Sequence, residues 1–329
     1  MKFTASLLLV GWLASLGASQ ELALLRKMPA ETLRYTGGAR PDAQGMVAYN
    51  QDGFKSPEFQ RGAMHSLILA VVRNDQPAVA SAWRAIDATF AHQQEDGGFS
   101  RPGAPCGGPS AAAFWLSSVS EAILVLRESP LEPEFREQIA QVIPKIHKAA
   151  RWLAQPRYQK RLAREDADTP NRLLFDALAF GLSGLLTDDV ELQQLGRRFV
   201  DLAMTHYRPS DGVFLERGGS DSSYQAVAAL KLQVWTLYFP DKKLSEAVDR
   251  AVRWECDRVG PDGQVDVTGN TRTGLGQERW MGHDKSVNLS EVTLCLLWHA
   301  AATGDQSSQA AARRIQQRRQ HIERNESSP

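Results

Sequence analysis

The chain has 329 residues, 43% of them hydrophobic, which is enough for one large core. Its 38 basic residues balance 38 acidic ones, which excludes nucleic acid or any other polyion held by bulk charge alone. A charged ligand would need a local cluster.

Met1 and Lys2, the apolar run Leu7–Leu16 and the small residues Gly17, Ala18 and Ser19 have the three-part layout of a secretory signal. The run falls short of the roughly twenty residues of a spanning helix, so no membrane anchor is expected to remain after cleavage near Ser19 or Gln20. The mature protein is expected to be secreted or periplasmic. Beyond residue 20, apolar residues recur at helical spacing with almost no alternating runs, which predicts an all-α domain over 21–305 and a polar helix or tail over 306–329.

In chain order, Phe59–Val72 is apolar nearly all round and Val79–His92 is amphipathic. The same alternation repeats in Ala111–Leu126 and Glu134–Leu153, Leu173–Leu186 and Glu191–Tyr207, and Tyr224–Leu237 and Leu244–Asp257, before the apolar Val287–Ala302. A helix apolar on all sides is buried, and one with a polar face lies outside it. The turns repeat as well: Asp52-Gly53-Phe54, Asp96-Gly97-Gly98-Phe99, Asp211-Gly212-Val213-Phe214 and Asp262-Gly263-Gln264-Val265. Asp and Gly suit the left-handed geometry that ends a helix, and the aromatic can pin the loop. The period of about 45 to 60 residues describes an array of helical hairpins. The loop around Asp168–Asn171 lacks the full signature.

Gln93-Gln94-Glu95-Asp96-Gly97-Gly98-Phe99 resembles the Gln-rich Asp-Gly-Gly turn of the α/α-toroid proteins, which include terpenoid cyclases, prenyltransferases, six-hairpin glycosidases and toroid polysaccharide lyases. The resemblance implies an α/α toroid of about five to six hairpins, incomplete or closed by residues 21–35, and marks fold rather than activity. It directs attention to the inner-helix N-termini, where free N–H groups and the helix dipole favour anions.

Four segments there carry chemistry. Glu216-Arg217-Gly218-Gly219-Ser220-Asp221-Ser222-Ser223-Tyr224 puts an acid, a base, a flexible turn and a phenol at one helix mouth, against the plainer reading that Asp221 caps the helix and Glu216 pairs with Arg217. Arg279-Trp280-Met281-Gly282-His283-Asp284-Lys285-Ser286 places His283 beside Asp284, although Asp284 or Ser286 could serve only as a cap. The Gly, Thr and Asn stretch Val267–Gly276 before it reads as a loop over a cavity mouth. In Asp168-Thr169-Pro170-Asn171-Arg172, Thr169 is placed to cap and Pro170 to start a helix, leaving Asn171 and Arg172 in its first turn. Arg61 and His65 lie one turn apart on an apolar helix, where a lone His is more often a satisfied core residue.

Asp188-Asp189-Val190-Glu191 begins a charged outer helix and reads as surface. No His-x-x-x-His helix, Walker loop, dinucleotide fingerprint or Gly-x-Ser-x-Gly elbow occurs in context, so neither metal nor cofactor is expected. Cys106, Cys256 and Cys295 lack zinc-site spacings; Cys295 reads as a core filler, and a Cys106–Cys256 bridge is compatible with an oxidising compartment.

Similarity to the Asn, His, Tyr and Arg groups of toroid lyases implies β-elimination on a uronic-acid polymer, with Tyr224, His283, Asn171 and Arg279 catalytic. Arg172, Glu216, Arg217, Asp221, Asp284, Trp280, Arg61 and His65 would then contact the saccharide. The Asn-Trp and Asn-Asn-His strings of some such lyases are missing. Two other readings stand: a glycoside hydrolase drawing two carboxylates from Glu216, Asp221, Asp284 and Asp176, and a non-catalytic ring stacking a ligand on Trp115, Trp235, Trp280 and Tyr224.

Overall fold

The computed structural model describes residues 20–30, 33, 38–99, 108–280 and 282–326. The expected leader and Cys106 lie outside them. Five helical hairpins follow one another: α2 (Arg61–Val72) with α3 (Gln76–Phe90), α4 (Pro109–Arg127) with α5 (Glu132–Leu153), α7 (Pro170–Leu186) with α8 (Val190–Met204), α9 (Ser222–Tyr238) with α10 (Lys242–Asp257), and α11 (Leu289–Thr303) with α12 (Gln306–Glu326). A short α6 (Pro156–Glu165) rides between the second and third pairs. Two-residue strands form two antiparallel ribbons, β1 (Tyr207–Arg208) with β2 (Val213–Phe214) and β3 (Arg279–Trp280) with β4 (His283–Asp284).

The first helix of each pair belongs to an inner ring. α2 packs beside α4, α4 beside α7, α7 beside α9 and α9 beside α11, while α1 (Gln20–Lys27) touches both α11 and α2 and closes the circle. Among the described residues the closing wall is therefore one short helix. The apolar inner helices are buried as their composition requires: Trp115 and Trp235, two of the proposed stacking aromatics, sit in the core with at most 1% exposure. Cys295 is fully buried among them, and Cys256 is a free thiol facing the Ser308 hydroxyl. Residues 306–326 form an outer helix whose Ala311, Ala312 and Ile315 are buried against its neighbours.

Local rules set both kinds of link. In three of the inner-to-outer turns a residue with left-handed φ precedes an aspartate that starts the next helix: Asn74-Asp75, Asp188-Asp189 and Gly304-Asp305. Asp75 accepts from Ala78 N, Asp189 from Leu192 N and Asp305 from Ser308 N, the N-cap bond that satisfies an otherwise orphaned donor. Asp189 also pairs with Arg151 and His147 of α5, so the acidic run is structural.

The outer-to-inner links carry the Asp-Gly turns. At Gly212, with φ +75°, a Cβ would lie 2.6 Å from the Arg250 carbonyl of α10; Gly97 and Gly263 press in the same way on Lys148 of α5 and Arg314 of α12. Only glycine permits so close an approach. Gln225 locks the turn by donating to Gly212 O and accepting from Phe214 N. In the first hairpin Gln60 does the same to Gly45 O and Val47 N, and Gly45 rests on Arg84 of α3. The first repeat therefore turns at Asp42–Gly45 and not at Asp52-Gly53, whose glycine has nothing within 4 Å of a would-be Cβ.

Candidate functional site

These links gather on one face, where the N-termini of α2, α7, α9 and α11 open onto a cavity of about 950 Å³. Asn171, Arg172, Tyr224, His283, Asp284 and Arg61 all line it, from segments far apart in sequence. Asn171 Oδ1 is buried without a hydrogen-bond partner among the described residues. Pro170 starts α7 and aims Asn171 and Arg172 at the mouth. The expected Thr169 cap is absent: its hydroxyl donates back to Asp166 O instead. Arg172 Nη1 lies 3.2 Å from the buried Asp166 carboxylate.

Tyr224 lies in the first turn of α9. Its ring carries two cations, with the Arg272 guanidinium 4.0 Å and the Lys285 ammonium 5.0 Å from the centroid. Burial pushes the phenol up to about 12, more than the adjacent Arg272 pulls it down. The group is thus a protonated phenol over the neutral range, able to donate.

Arg272 organises the wall behind it. The side chain is 3% exposed and bonds Glu216 Oε1 through Nη1 and Glu278 Oε2 through Nε at 2.6 Å. The hydrogen bond from Arg272 holds Glu278 down at about 2, whereas burial pushes Glu216 up to about 7 despite its ion pair. Asp221 fixes the loop bearing Arg272: one carboxylate oxygen caps α9 through Ser223 N and Tyr224 N, and the other accepts from Arg272 N and Thr273 N. The Val267–Gly276 loop places Arg272 and Thr273 on the cavity wall.

Several sequence candidates take other places. Arg279 is exposed and its guanidinium bonds the Gly282 carbonyl of its own ribbon, outside the cavity lining, because the two-residue strands turn its side chain back on the hairpin. Glu216 and Asp221 lie behind the wall, consumed by Arg272 and by capping. Arg217 faces outward, 3.8 Å from Glu278, on a left-handed residue that directs it away. The Trp280 side chain lies outside the described residues. Asp284 and Ser286 do not cap α11; Asn288 does, accepting from Ser290 N and Glu291 N. Asp176 is buried, its Oδ2 without a hydrogen-bond partner among the described residues, inside α7 and off the wall. His65 lines a deeper compartment, where burial lowers it to about 3 and keeps it neutral.

Composition hid Arg272, Glu278, Lys285 and Lys231. One signal was present: Arg272 is the lone charge of Val267–Gly276, and Lys231 that of Tyr224–Leu237.

No protein-family model and no curated protein sequence matches the chain. Among solved structures it is similar to the unsaturated glucuronyl hydrolase of Bacillus sp. GL1, responsible for the degradation of glycosaminoglycan, at 13% identity and a TM-score of 0.52, over 89% of this chain and 81% of that one. A UGL variant with dGlcA-Glc-Rha-Glc gives 13% identity and a TM-score of 0.54, over 89% and 80%. The chain has an α/α-toroid fold. At this identity the likeness speaks to the fold alone.

Proposed function

We propose that the protein is a secreted or periplasmic carbohydrate-active enzyme that cleaves uronic-acid-containing saccharides by β-elimination. One observation carries the reading: Tyr224, a phenol kept protonated by burial, shares a cavity with His283, Asn171, Arg172 and Lys285. Elimination needs the uronate carboxylate neutralised, a base for the proton on the adjacent carbon and an acid for the departing 4-linked oxygen. Arg172, Asn171 and Lys285 supply cationic and amide donors for the carboxylate. His283 takes the carbon-bound proton, its electron pair forms the double bond, and Tyr224 delivers a proton to the leaving oxygen.

A hydrolytic reading has its own support. Glu58, Asp284 and Glu291 also line the cavity, burial raises Glu291, and the similar solved structures are of glucuronyl hydrolases. Ultraviolet absorbance separates the two. Purified protein incubated with uronic-acid polymers gains absorbance as unsaturated ends form if elimination operates. If it instead hydrolyses unsaturated glucuronyl oligosaccharides, the freed enol rearranges to a ketone and absorbance falls. Sugar release from saturated polymers with no absorbance gain would overturn elimination.

A further inference from the structure

The chamber continues inward to a second one of about 420 Å³; Glu58, Arg61, Phe175, Val227 and Glu291 line both. This volume lies within the roughly 300–1,000 Å³ of small-ligand sites. Below it His65, Leu230, Lys231 and Leu294 border only a space of about 30 Å³, floored by Glu21, Leu25 and Leu33. That is room for about one water. Among the described residues the closing segment therefore turns the ring into a cup, with no passage wide enough to thread a polymer.

Two cations stand inside the cup. The Arg61 guanidinium rests 5.0 Å from the Phe114 ring centroid and 5.8 Å from that of Phe175, and it makes no ion pair among the described residues. Lys231, 5% exposed in mid-helix, has its ammonium 5.0 Å from the centroid of the same Phe175 ring. Its carboxylate partner, Glu121, is 3.5 Å away, at the outer limit of a hydrogen bond. Lys231 is buried and Arg61 half-buried, and an aromatic face offsets little of the cost of taking a cation from water, so two cations converging on one ring favour an anion between them. Among the acids beside them, burial pushes the Glu291 carboxyl up while Arg61 and Lys231 pull it down, and Glu58 stands at the junction of the two chambers. His65, neutral and without a hydrogen-bond partner among the described residues, adds a donor or acceptor for sugar hydroxyls.

The geometry points to a chain-end subsite: the inner chamber takes the terminal acidic sugar of a saccharide, its carboxylate seated between Arg61 and Lys231 beside Phe175. The next sugar then occupies the outer chamber at Tyr224, and the protein shortens its substrate from one end. This placement of the cut rests on the proposed elimination; binding of the acidic sugar does not.

Calorimetric titration with free glucuronate, its neutral methyl ester and glucose tests the subsite without turnover. Glucuronate should bind at least about tenfold tighter than the ester or glucose, since charge-assisted pairs dominate the contact, and Arg61→Gln should abolish that preference. The ester comparison needs no variant, so a misfolded Arg61→Gln would not blunt it. Equal binding of acid and ester, or no binding of glucuronate by the wild type, overturns the subsite. On a polymer that is turned over, short products should accumulate from the first time points; early products of intermediate length overturn the chain-end mode. Charge-selective binding of glucuronate with no turnover of any uronate polymer would leave the subsite standing and remove the elimination.

Discussion

At the scale of single residues, the deciding contrast is between groups that face the cavity and groups that hold its wall. Tyr224→Phe removes one oxygen and little packing surface, so turnover should fall by about 10²–10⁴-fold with the melting temperature unchanged; product absorbance and thermal melts on the same samples check it. Arg272→Met belongs to the other class. It leaves Glu216, 1% exposed, without its buried cation, and the loss of one partner of such a pair costs about 3–5 kcal/mol. Denaturant melts of Arg272→Met, Glu216→Leu and the double variant should show the double variant more stable than Arg272→Met alone, because the buried carboxyl left without its cation is gone. Additive losses would mean that the pair is not coupled.

At the scale of elements, the repeated turn is a docking device as much as a helix stop. At Gly263, with φ +78°, a Cβ would meet the Arg314 carbonyl of α12 at 2.1 Å, while at Gly53, with φ +109°, it would meet nothing within 4 Å. Both positions carry backbone strain for a side chain, of roughly 1–3 kcal/mol, but only Gly263 adds a clash with backbone. Gly263→Ala should therefore lower the melting temperature clearly more than Gly53→Ala. Equal losses would show that the contact with α12 is dispensable. The Asp-Gly periodicity was legible because turn chemistry is local; that Gly45 and not Gly53 is the docking glycine was not, since it depends on which loop meets α3 in space.

At the scale of the whole molecule, the ring encloses carboxyls that it keeps neutral. Glu255 is fully buried, neither of its oxygens has a hydrogen-bond partner among the described residues, and burial raises it well above the ordinary range, as it does Glu21 and Asp176. For a carboxyl raised in the folded state, the native form holds more protons than the unfolded chain above the unfolded value near 4.5. Stability therefore falls as pH rises from there through the folded value. His65, lowered from 6.5 to about 3, acts in the opposite sense, adding stability as pH rises across that interval and nothing more above it. Past neutrality the carboxyls act without that opposition, and the raised Cys256 and Cys295 thiols add to the loss as pH approaches 9. The melting temperature should drop between about pH 6 and about pH 9, and Glu255→Gln should flatten that drop; an unchanged slope in this variant would assign the loss to other groups.

The sequence by itself determined the alternation of buried and amphipathic helices, the Asp-Gly punctuation and the helix mouths at which Asn171, Arg172, Tyr224 and His283 stand, because periodicity, capping and turn preference act over a few residues. The tertiary structure decided which charges meet. Arg272 reaches Glu216 across 56 positions and Lys231 reaches Glu121 across 110, while Arg279 turns away from the cavity. Such pairings follow from how the ring closes through α1 and how two long loops knit over its mouth, and the free energy of burying a charge is set by that packing rather than by spacing along the chain.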